Sequence, residues 1–133
     1  MIVADTNIIV YLLLDTDFSK LSARAYKKDP EWVAPGLWKS EFINVLALYL
    51  HKGHITVDAA QTILRAALTS ISSEFEVSPE KILELAASSK CSAYDCEFVA
   101  LAQQLQIPLV TMDKQILELF PRVAINLDGF MTQ

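Results

Sequence analysis

Short apolar segments alternate along this chain with longer helical segments, and this alternation strongly limits the folds that are open to it. Strands that alternate with helices are typical of a parallel sheet whose right-handed connections place helices on its faces. We therefore expect an α/β protein, a three-layer α/β/α sandwich with a mostly parallel central sheet. The predicted strands are residues 2–4, 32–34, 75–77, 107–111 and 123–125.

Two helical segments between these strands have different patterns. Residues 57–71 carry apolar side chains three and four positions apart, which is the spacing of an amphipathic helix with one buried face. Residues 37–51 are apolar on nearly every side, and this predicts a helix that is buried all round. Gly53 follows the second segment and is expected to end the helix.

Length and composition predict an ordered domain. The chain has 133 residues, of which 53% are hydrophobic and 20% are charged, so extended disorder is excluded. We expect residues 1–133 to form a single domain. No apolar stretch approaches the roughly 18–20 residues of a membrane span, and no signal-sequence pattern is found, so we expect a cytoplasmic protein with no membrane partner. The apolar surplus over an average domain predicts burial against another chain, and we expect a homodimer.

Two of the predicted strands are followed by an aspartate, Asp5 after the first and Asp113 after the fourth. The carboxyl ends of parallel strands meet at one edge of a sheet, where such folds bind their ligands. We therefore expect the two carboxylates to lie at the same edge. Each Asp also precedes a predicted helix, and Asp is a favoured N-cap. A capping role and a functional role are both open for these two residues.

Two further acids are predicted to face inward from helices. Glu41 shares a helix side with Trp38 in a segment with few polar side chains. A buried carboxylate is costly unless a cation or several donors meet it. Asp95 shares the core side of its helix with Phe98, although Ser92-Ala-Tyr-Asp95 is also a capping-box pattern. Each acid also has a purely structural interpretation. The Glu41 side chain could extend to solvent, and Asp95 could act only in the capping of its helix.

Four carboxylates gathered in one cleft would repel each other, and no Arg or His lies close to any of them in sequence. Hard divalent cations relieve such repulsion, and Mg²⁺ and Mn²⁺ prefer oxygen ligands. Metals held by carboxylates suit phosphoryl chemistry, because they polarise the phosphate and activate a water molecule. The net charge of −5 disfavours nucleic-acid binding through a broad basic face. With the four acids set aside the remaining charges nearly balance, so the acidity does not argue against a phosphodiester substrate.

Four motifs with polar or acidic residues follow one another in order along the chain. They are Val-Ala-Asp5-Thr-Asn7, Trp38-Lys-Ser-Glu41-Phe-Ile-Asn44, Ser92-Ala-Tyr-Asp95-Cys-Glu-Phe and Leu-Val-Thr111-Met-Asp113. This ordered set resembles the PIN-domain nucleases, and most closely the VapC-type toxins of bacterial and archaeal toxin–antitoxin pairs. The resemblance covers essentially the whole chain, and the set is more specific than any single motif.

The resemblance implies a PIN-like fold and a divalent-metal-dependent endoribonuclease that cleaves single-stranded or structured RNA. It also implies a toxin of a type II toxin–antitoxin system, with a cognate antitoxin as partner and often a homodimer. Asn7 and Thr111 correspond to small polar residues that support the first and the last acid. The residues that correspond to the family's catalytic quartet, which binds Mg²⁺ or Mn²⁺, are Asp5, Glu41, Asp95 and Asp113.

Three other features have more than one interpretation. Some family members carry another acid shortly after the last one, whereas Lys114 follows Asp113 here, so the occupancy of a second metal is open. Trp38, one turn before Glu41, is either a stacking platform for a base or a core side chain. The apolar run at residues 11–14 exceeds the needs of one buried helix face and is a candidate groove for an antitoxin helix.

Two other functions agree with parts of the pattern. A phosphatase or dehalogenase with a nucleophilic aspartate also has Asp at the end of its first strand. Phosphatases of that class need a second acid where Asn7 stands, and Glu41 would have no role in either enzyme. In the other alternative the acids are helix caps, and the chain is a catalytically silent interaction module.

Overall fold

A central sheet of five strands organises the chain in a computed structural model that describes residues 1–133. Every neighbouring pair of strands is parallel, so all the strands end at the same edge of the sheet. The strands are β1 (Ile2–Ala4), β2 (Trp32–Pro35), β3 (Ile71–Phe75), β4 (Leu109–Val110) and β5 (Ala124–Ile125). They lie in the order β3-β2-β1-β4-β5. Successive strands are added on one side of β1 up to β3 and on its other side from β4 onward, so the strand order reverses between β1 and β4.

Eight helices connect and cover these strands. They are α1 (Thr6–Leu13), α2 (Ser19–Lys28), α3 (Leu37–His51), α4 (Val57–Ser70), α5 (Pro79–Ser88), α6 (Ala93–Leu105), α7 (Lys114–Leu119) and α8 (Leu127–Met131). Helix α1 packs against α2, α3 and α4, while α5 packs against α6. Connections between parallel strands are right-handed as a rule, and with this strand order the rule puts the first group on one face of the sheet and α5–α7 on the other. The predicted α/β/α sandwich is confirmed, and its sheet is parallel throughout.

Local sequence sets where several helices begin. The side chains of Thr56, Ser78 and Ser92 accept hydrogen bonds from backbone N–H groups in the first turns of α4, α5 and α6. Pro79 occupies the first position of α5, where the missing N–H costs nothing. Helix α3 ends before Gly53, whose φ of +73° is a conformation that glycine adopts without strain. That predicted end is confirmed.

The hydrophobic core lies between the sheet and its two helical layers. Strand β1 is buried along its whole length, because α6 packs on it and strands β2 and β4 flank it. Trp32, Trp38, Phe42 and Phe98 are fully buried. Burying a side chain of this kind contributes about 1.5–3 kcal/mol each. The core therefore fixes the sheet edge and the helix ends that carry the acids. None of the helices is both long and apolar enough to cross a membrane.

The third strand begins earlier than the sequence predicted. Helix α4 ends at Ser70 and β3 spans Ile71–Phe75, so the predicted strand at 75–77 is wrong beyond its first residue. Ile71 continues the helical spacing of apolar residues, but it pairs with Trp32 of β2. A local repeat contains no information about a partner strand that is distant in sequence. Helix α8 was not predicted at all.

Helix α3 is not buried all round, which corrects a second prediction. Ile43 is 48% exposed and Leu48 is 50% exposed, whereas Trp38 and Phe42 are fully buried. The core covers only one face of the helix, and part of the opposite face borders α4 in an open apolar groove. Trp38 is thus a core side chain rather than a stacking platform. The apolar run at residues 11–14 packs largely against the core and offers little free surface.

Candidate active site

Two of the predicted acids lie at the carboxyl edge of the sheet, where the strand order reverses. Asp5 follows β1 directly, and Asp113 lies three residues after Val110, the last residue of β4. Because β1 and β4 are neighbours, the fold brings these two residues together from opposite ends of the chain. Ligands of open parallel sheets bind at such a reversal point.

Asp5 is buried and held by groups on both sides of it. Its Oδ1 accepts a hydrogen bond from the Thr6 N–H at 2.7 Å, and its Oδ2 accepts one from the Thr111 hydroxyl at 2.7 Å. Burial raises the pKa of the Asp5 carboxyl to about 7. The two hydrogen bonds oppose this rise, while the charges of Glu41 and Asp95 add to it. A nearby cation would lower the pKa of this carboxyl again and so favour its charged form.

Asn7 and Thr111 connect the first acid to the last one. The fully buried Thr111 hydroxyl accepts hydrogen bonds from the Asp113 N–H at 3.0 Å and from Asn7 Nδ2 at 3.4 Å. Asn7 Oδ1 accepts a hydrogen bond from the Met112 N–H at 3.3 Å, and its Nδ2 lies 3.5 Å from Asp5 Oδ2. The two residues named as supporting groups in the sequence therefore contact the acids directly.

Glu41 projects from α3 toward Asp5 and is half-buried. Its Oε1 accepts a hydrogen bond from the Thr6 hydroxyl at 2.8 Å. Burial, and after it the charge of Asp95, raises the pKa of the Glu41 carboxyl, while the bond from Thr6 opposes the rise. The sequence expectation that Glu41 faces inward agrees with this placement, although solvent still reaches the carboxyl.

Asp95 and Asp113 both stand at helix starts. Ser92 caps α6 by accepting a hydrogen bond from the Asp95 N–H at 3.1 Å, so Asp95 is free to direct its own carboxyl into the cleft. Burial and the charge of Asp113 raise the pKa of the Asp95 carboxyl. Asp113 caps α7 by accepting a hydrogen bond from the Ile116 N–H at 3.0 Å. Asp5 also caps α1, so the capping interpretation is correct for Asp5 and Asp113 and leaves their carboxylates in the cleft.

The four acids line one open cleft of about 450 Å³. No Lys, Arg or His side chain lines it with them. As the side chains are placed, no three His, Cys, Asp or Glu residues are grouped closely enough to hold one metal ion together. Several of these carboxyl oxygens are instead bound by hydroxyl and backbone donors, so the acids share a cleft without forming a closed coordination shell. The remaining lining residues are Thr6, Asn7, Val10, Tyr11, Asn44 and Val45.

Sequence reasoning missed several groups at this site. Thr6 was not singled out, although its hydroxyl positions Glu41. Asn44 belongs to the Glu41 motif but was given no role, and it lines the cleft one turn after Glu41. Glu97 is a fifth acid of the neighbourhood: burial and then the charge of Glu41 raise the pKa of its carboxyl. Glu97 lies two positions after Asp95, where a helix normally turns a side chain away, and no sequence signal favoured it.

Comparison with known proteins identifies the family. A model of the PIN domain matches residues 2–125. The chain therefore belongs to the PIN domain family, whose members are typically nucleases. The recognition made from the four ordered motifs is confirmed. No curated protein matches this chain in sequence.

The fold is shared with solved structures, among them the following two. PAE2754 from Pyrobaculum aerophilum superposes with a TM-score of 0.80 at 20% sequence identity, over 99% of this chain and 96% of that one. A chain in a toxin–antitoxin complex from Klebsiella pneumoniae superposes with a TM-score of 0.69 at 18% identity, over 96% of this chain and 98% of that one. At such low identity these likenesses show a common fold and nothing more specific.

Proposed function

We propose that this chain is a divalent-metal-dependent endoribonuclease that cleaves single-stranded or structured RNA. The observation that carries the proposal is the convergence of four carboxylates on one cleft with no basic side chain in its lining. Such a cleft is electrostatically unfavourable by itself and becomes favourable when a cation joins it. Membership in a family of nucleases supports the same activity.

The proposed catalytic and metal-binding groups are Asp5, Glu41, Asp95 and Asp113, and the proposed cofactor is Mg²⁺ or Mn²⁺. Their donor chemistry suits these ions, since every donor is an oxygen. For three of the four, burial and neighbouring negative charge raise the pKa, which a bound cation would reverse. A divalent cation in such a site polarises a phosphate oxygen and activates a water molecule for attack.

The surrounding polar groups hold the acids in place for this role. Thr111 and the Thr6 N–H fix both oxygens of Asp5, and the Thr6 hydroxyl fixes one oxygen of Glu41. Partners that orient a ligand in advance reduce the ordering that must accompany ion binding. Thr6 therefore joins Asn7 and Thr111 in our proposal as a positioning residue.

We further propose that the chain acts in the cytoplasm as the toxin of a type II toxin–antitoxin pair, with residues 1–133 as a single domain and a cognate antitoxin protein as partner. The structural neighbour in a toxin–antitoxin complex supports this assignment. The ordered motifs of the sequence support it independently.

A homodimer is also proposed, through the apolar groove between α3 and α4. Its lining is almost entirely apolar and includes Ile43, Leu46 and Leu64. Val57, at the mouth of the groove, is 58% exposed. The groove agrees with the apolar surplus of the composition, and covering it with the same groove of a second copy would bury the exposed side chains of both.

One set of assays distinguishes the proposed activity from its alternatives. Single-stranded RNA, a phosphate monoester and a haloacid are each incubated with the protein, with Mg²⁺ or with EDTA. We expect RNA cleavage with Mg²⁺ only and no turnover of the other two substrates. Turnover of the monoester or the haloacid would indicate an aspartate-nucleophile hydrolase, and inactivity on all three would indicate a silent interaction module.

A further inference from the structure

A second recess adjoins the acidic cleft at the beginning of α3. It has a volume of about 290 Å³ and opens between α3 and the first turn of α6. Glu41 and Asn44 line both this recess and the acidic cleft, so the two adjoin at these side chains. A ligand that placed a phosphate at the acids would therefore have its neighbouring groups within reach of the recess.

The α3 wall of the recess is a stripe of three polar side chains and one apolar side chain. Leu37, Ser40, Glu41 and Asn44 line it at offsets of three, four and seven, which places them on one side of the helix. Ser40 and Asn44 are both exposed. A hydroxyl and an amide together offer donors and acceptors to the edge of a planar polar group. This stripe is suited to a polar ligand rather than to the packing of a core.

The opposite wall is the ring of Tyr94, the second residue of α6. Tyr94 is 64% exposed, so the protein itself covers little of this large aromatic side chain. The next residue, Asp95, lines the acidic cleft. The backbone of α6 thus holds an uncovered ring beside one of the four acids.

We propose that this recess is a nucleobase subsite, in which the Tyr94 ring stacks on an unpaired base next to the phosphate that the acids address. The proposal rests on the proposed nuclease function and adds a binding group to it. Aromatic rings stack on any base and are common platforms for single-stranded RNA. A base is also neutral, so the acids that repel the RNA backbone do not repel it. Tyr94 takes the role that the sequence offered for Trp38, whose indole is buried and bound to Glu74.

The test combines Tyr94 variants with abasic substrates. The probe is a short unstructured RNA that the wild type cleaves with Mg²⁺, selected from a random-sequence pool, together with versions that lack one base at each position near the cut. For Tyr94→Ala we expect KM to rise about tenfold with kcat nearly unchanged, since stacking holds substrate and transition state alike. Tyr94→Phe and Tyr94→Trp should keep the wild-type KM. Leu83→Ala, which removes a side chain that is 67% exposed on α5, is the matched control and should also keep it.

The abasic series shows whether the ring contacts a base. At one position beside the cut, removing the base should raise the wild-type KM about as much as Tyr94→Ala does. Removing the same base should not raise the KM of Tyr94→Ala any further. Additive effects at every position, or an unchanged KM in Tyr94→Ala, would overturn the subsite while the nuclease function stands. A change in oligomeric state for Tyr94→Ala with unchanged RNA kinetics would assign the ring to a protein interface instead. If the wild type cleaves no RNA in the pool, the proposed function and the subsite both fall.

Discussion

The Thr111 hydroxyl donates a hydrogen bond of 2.7 Å to Asp5 Oδ2, across a sequence separation of 106 residues. The same hydroxyl oxygen accepts a hydrogen bond from the Asp113 N–H at 3.0 Å. One buried side chain therefore sets the position of the first acid relative to the last. The geometry of the proposed metal site therefore depends on this contact as well as on the acids themselves.

Replacing Thr111 tests this contact. Thr111→Val keeps the shape of the side chain but removes the 2.7 Å hydrogen bond to Asp5 Oδ2, so that only the longer contact of 3.5 Å from Asn7 Nδ2 remains. We expect the free energy of unfolding at pH 8 to fall by about 1–3 kcal/mol, because a buried charged acceptor loses its shorter hydrogen bond. RNA cleavage should fall with it. Thr111→Ser retains the hydroxyl and should preserve most of both, and a Thr111→Val protein with wild-type stability and activity would contradict the role we assign.

Oligomeric state tests the α3–α4 groove. Light scattering at micromolar concentration should give a dimer mass for the wild type. Ile43→Asp places a charge in the groove and should give a monomer, since its carboxylate would have to be buried at the interface. Leu83→Asp adds the same charge at a more exposed site on α5, where the side chain is 67% exposed, and should remain a dimer. A monomeric wild type, or a dimeric Ile43→Asp, would exclude this interface.

The dependence of stability on pH in EDTA follows from the buried position of Asp5. Burial raises the pKa of this carboxyl from 3.8 to about 7. Between these values the folded chain keeps a proton that the unfolded chain has released, so folding becomes less favourable as the pH rises. The contribution lost between pH 4 and pH 8 is about 4 kcal/mol. Urea unfolding should therefore show wild type losing stability relative to Asp5→Asn over this range, whereas a difference independent of pH would contradict the shift.

Removal of one charge from the cleft tests the proposed activity. Glu41→Gln keeps an oxygen that can accept the hydrogen bond from Thr6, so we expect the protein to fold with nearly unchanged stability. The amide carries no charge to hold a hard cation, and RNA cleavage with Mg²⁺ should be abolished. Cleavage is measured on RNA with equal amounts of folded wild type and variant. Full activity in Glu41→Gln would remove Glu41 from the site.

The parts of the fold that follow from local pattern and chain topology were predictable from sequence. Asp5 and Asp113 each follow a strand, and parallel strands must end at one edge, so their shared location required no side-chain detail. Glu41 was indicated because burying a carboxylate in a largely apolar helix is costly unless a cation or several donors meet it. The contact between Thr6 and Glu41 was not predictable, since it depends on how α1 and α3 are packed together.

Burial of α3 shows a second limit of the sequence. An apolar pattern on all sides predicts burial on all sides, but a chain cannot reveal whether its own core or another molecule covers each face. Trp38 is covered by the core, whereas Ile43 lies in an open groove. The two residues have similar neighbours in sequence and differ only in what the fold places opposite them.

The central claim is that a divalent cation draws the four acids, which are not grouped around one point as their side chains are placed, into one metal site. Asp95 allows this claim to be tested by thermal melting. Burial, and after it the charge of Asp113, raises the pKa of the Asp95 carboxyl, so neutralising Asp95 should remove both the cost of burying its charge and the repulsion from Asp113. Ser92 provides the cap of α6, which Asp95→Asn leaves intact. The control is Asp58→Asn, which removes the same charge from an exposed position on α4.

Wild type, Asp95→Asn and Asp58→Asn are melted in EDTA and in excess Mg²⁺. In EDTA we expect Asp95→Asn to be more stable than wild type by about 1 kcal/mol, because carboxylates near each other repel. Mg²⁺ should raise the Tm of wild type and of Asp58→Asn by mass action, and should raise that of Asp95→Asn much less. An identical response to Mg²⁺ in all three proteins would contradict the assignment of Asp95 as a ligand and, with it, the four-acid metal site.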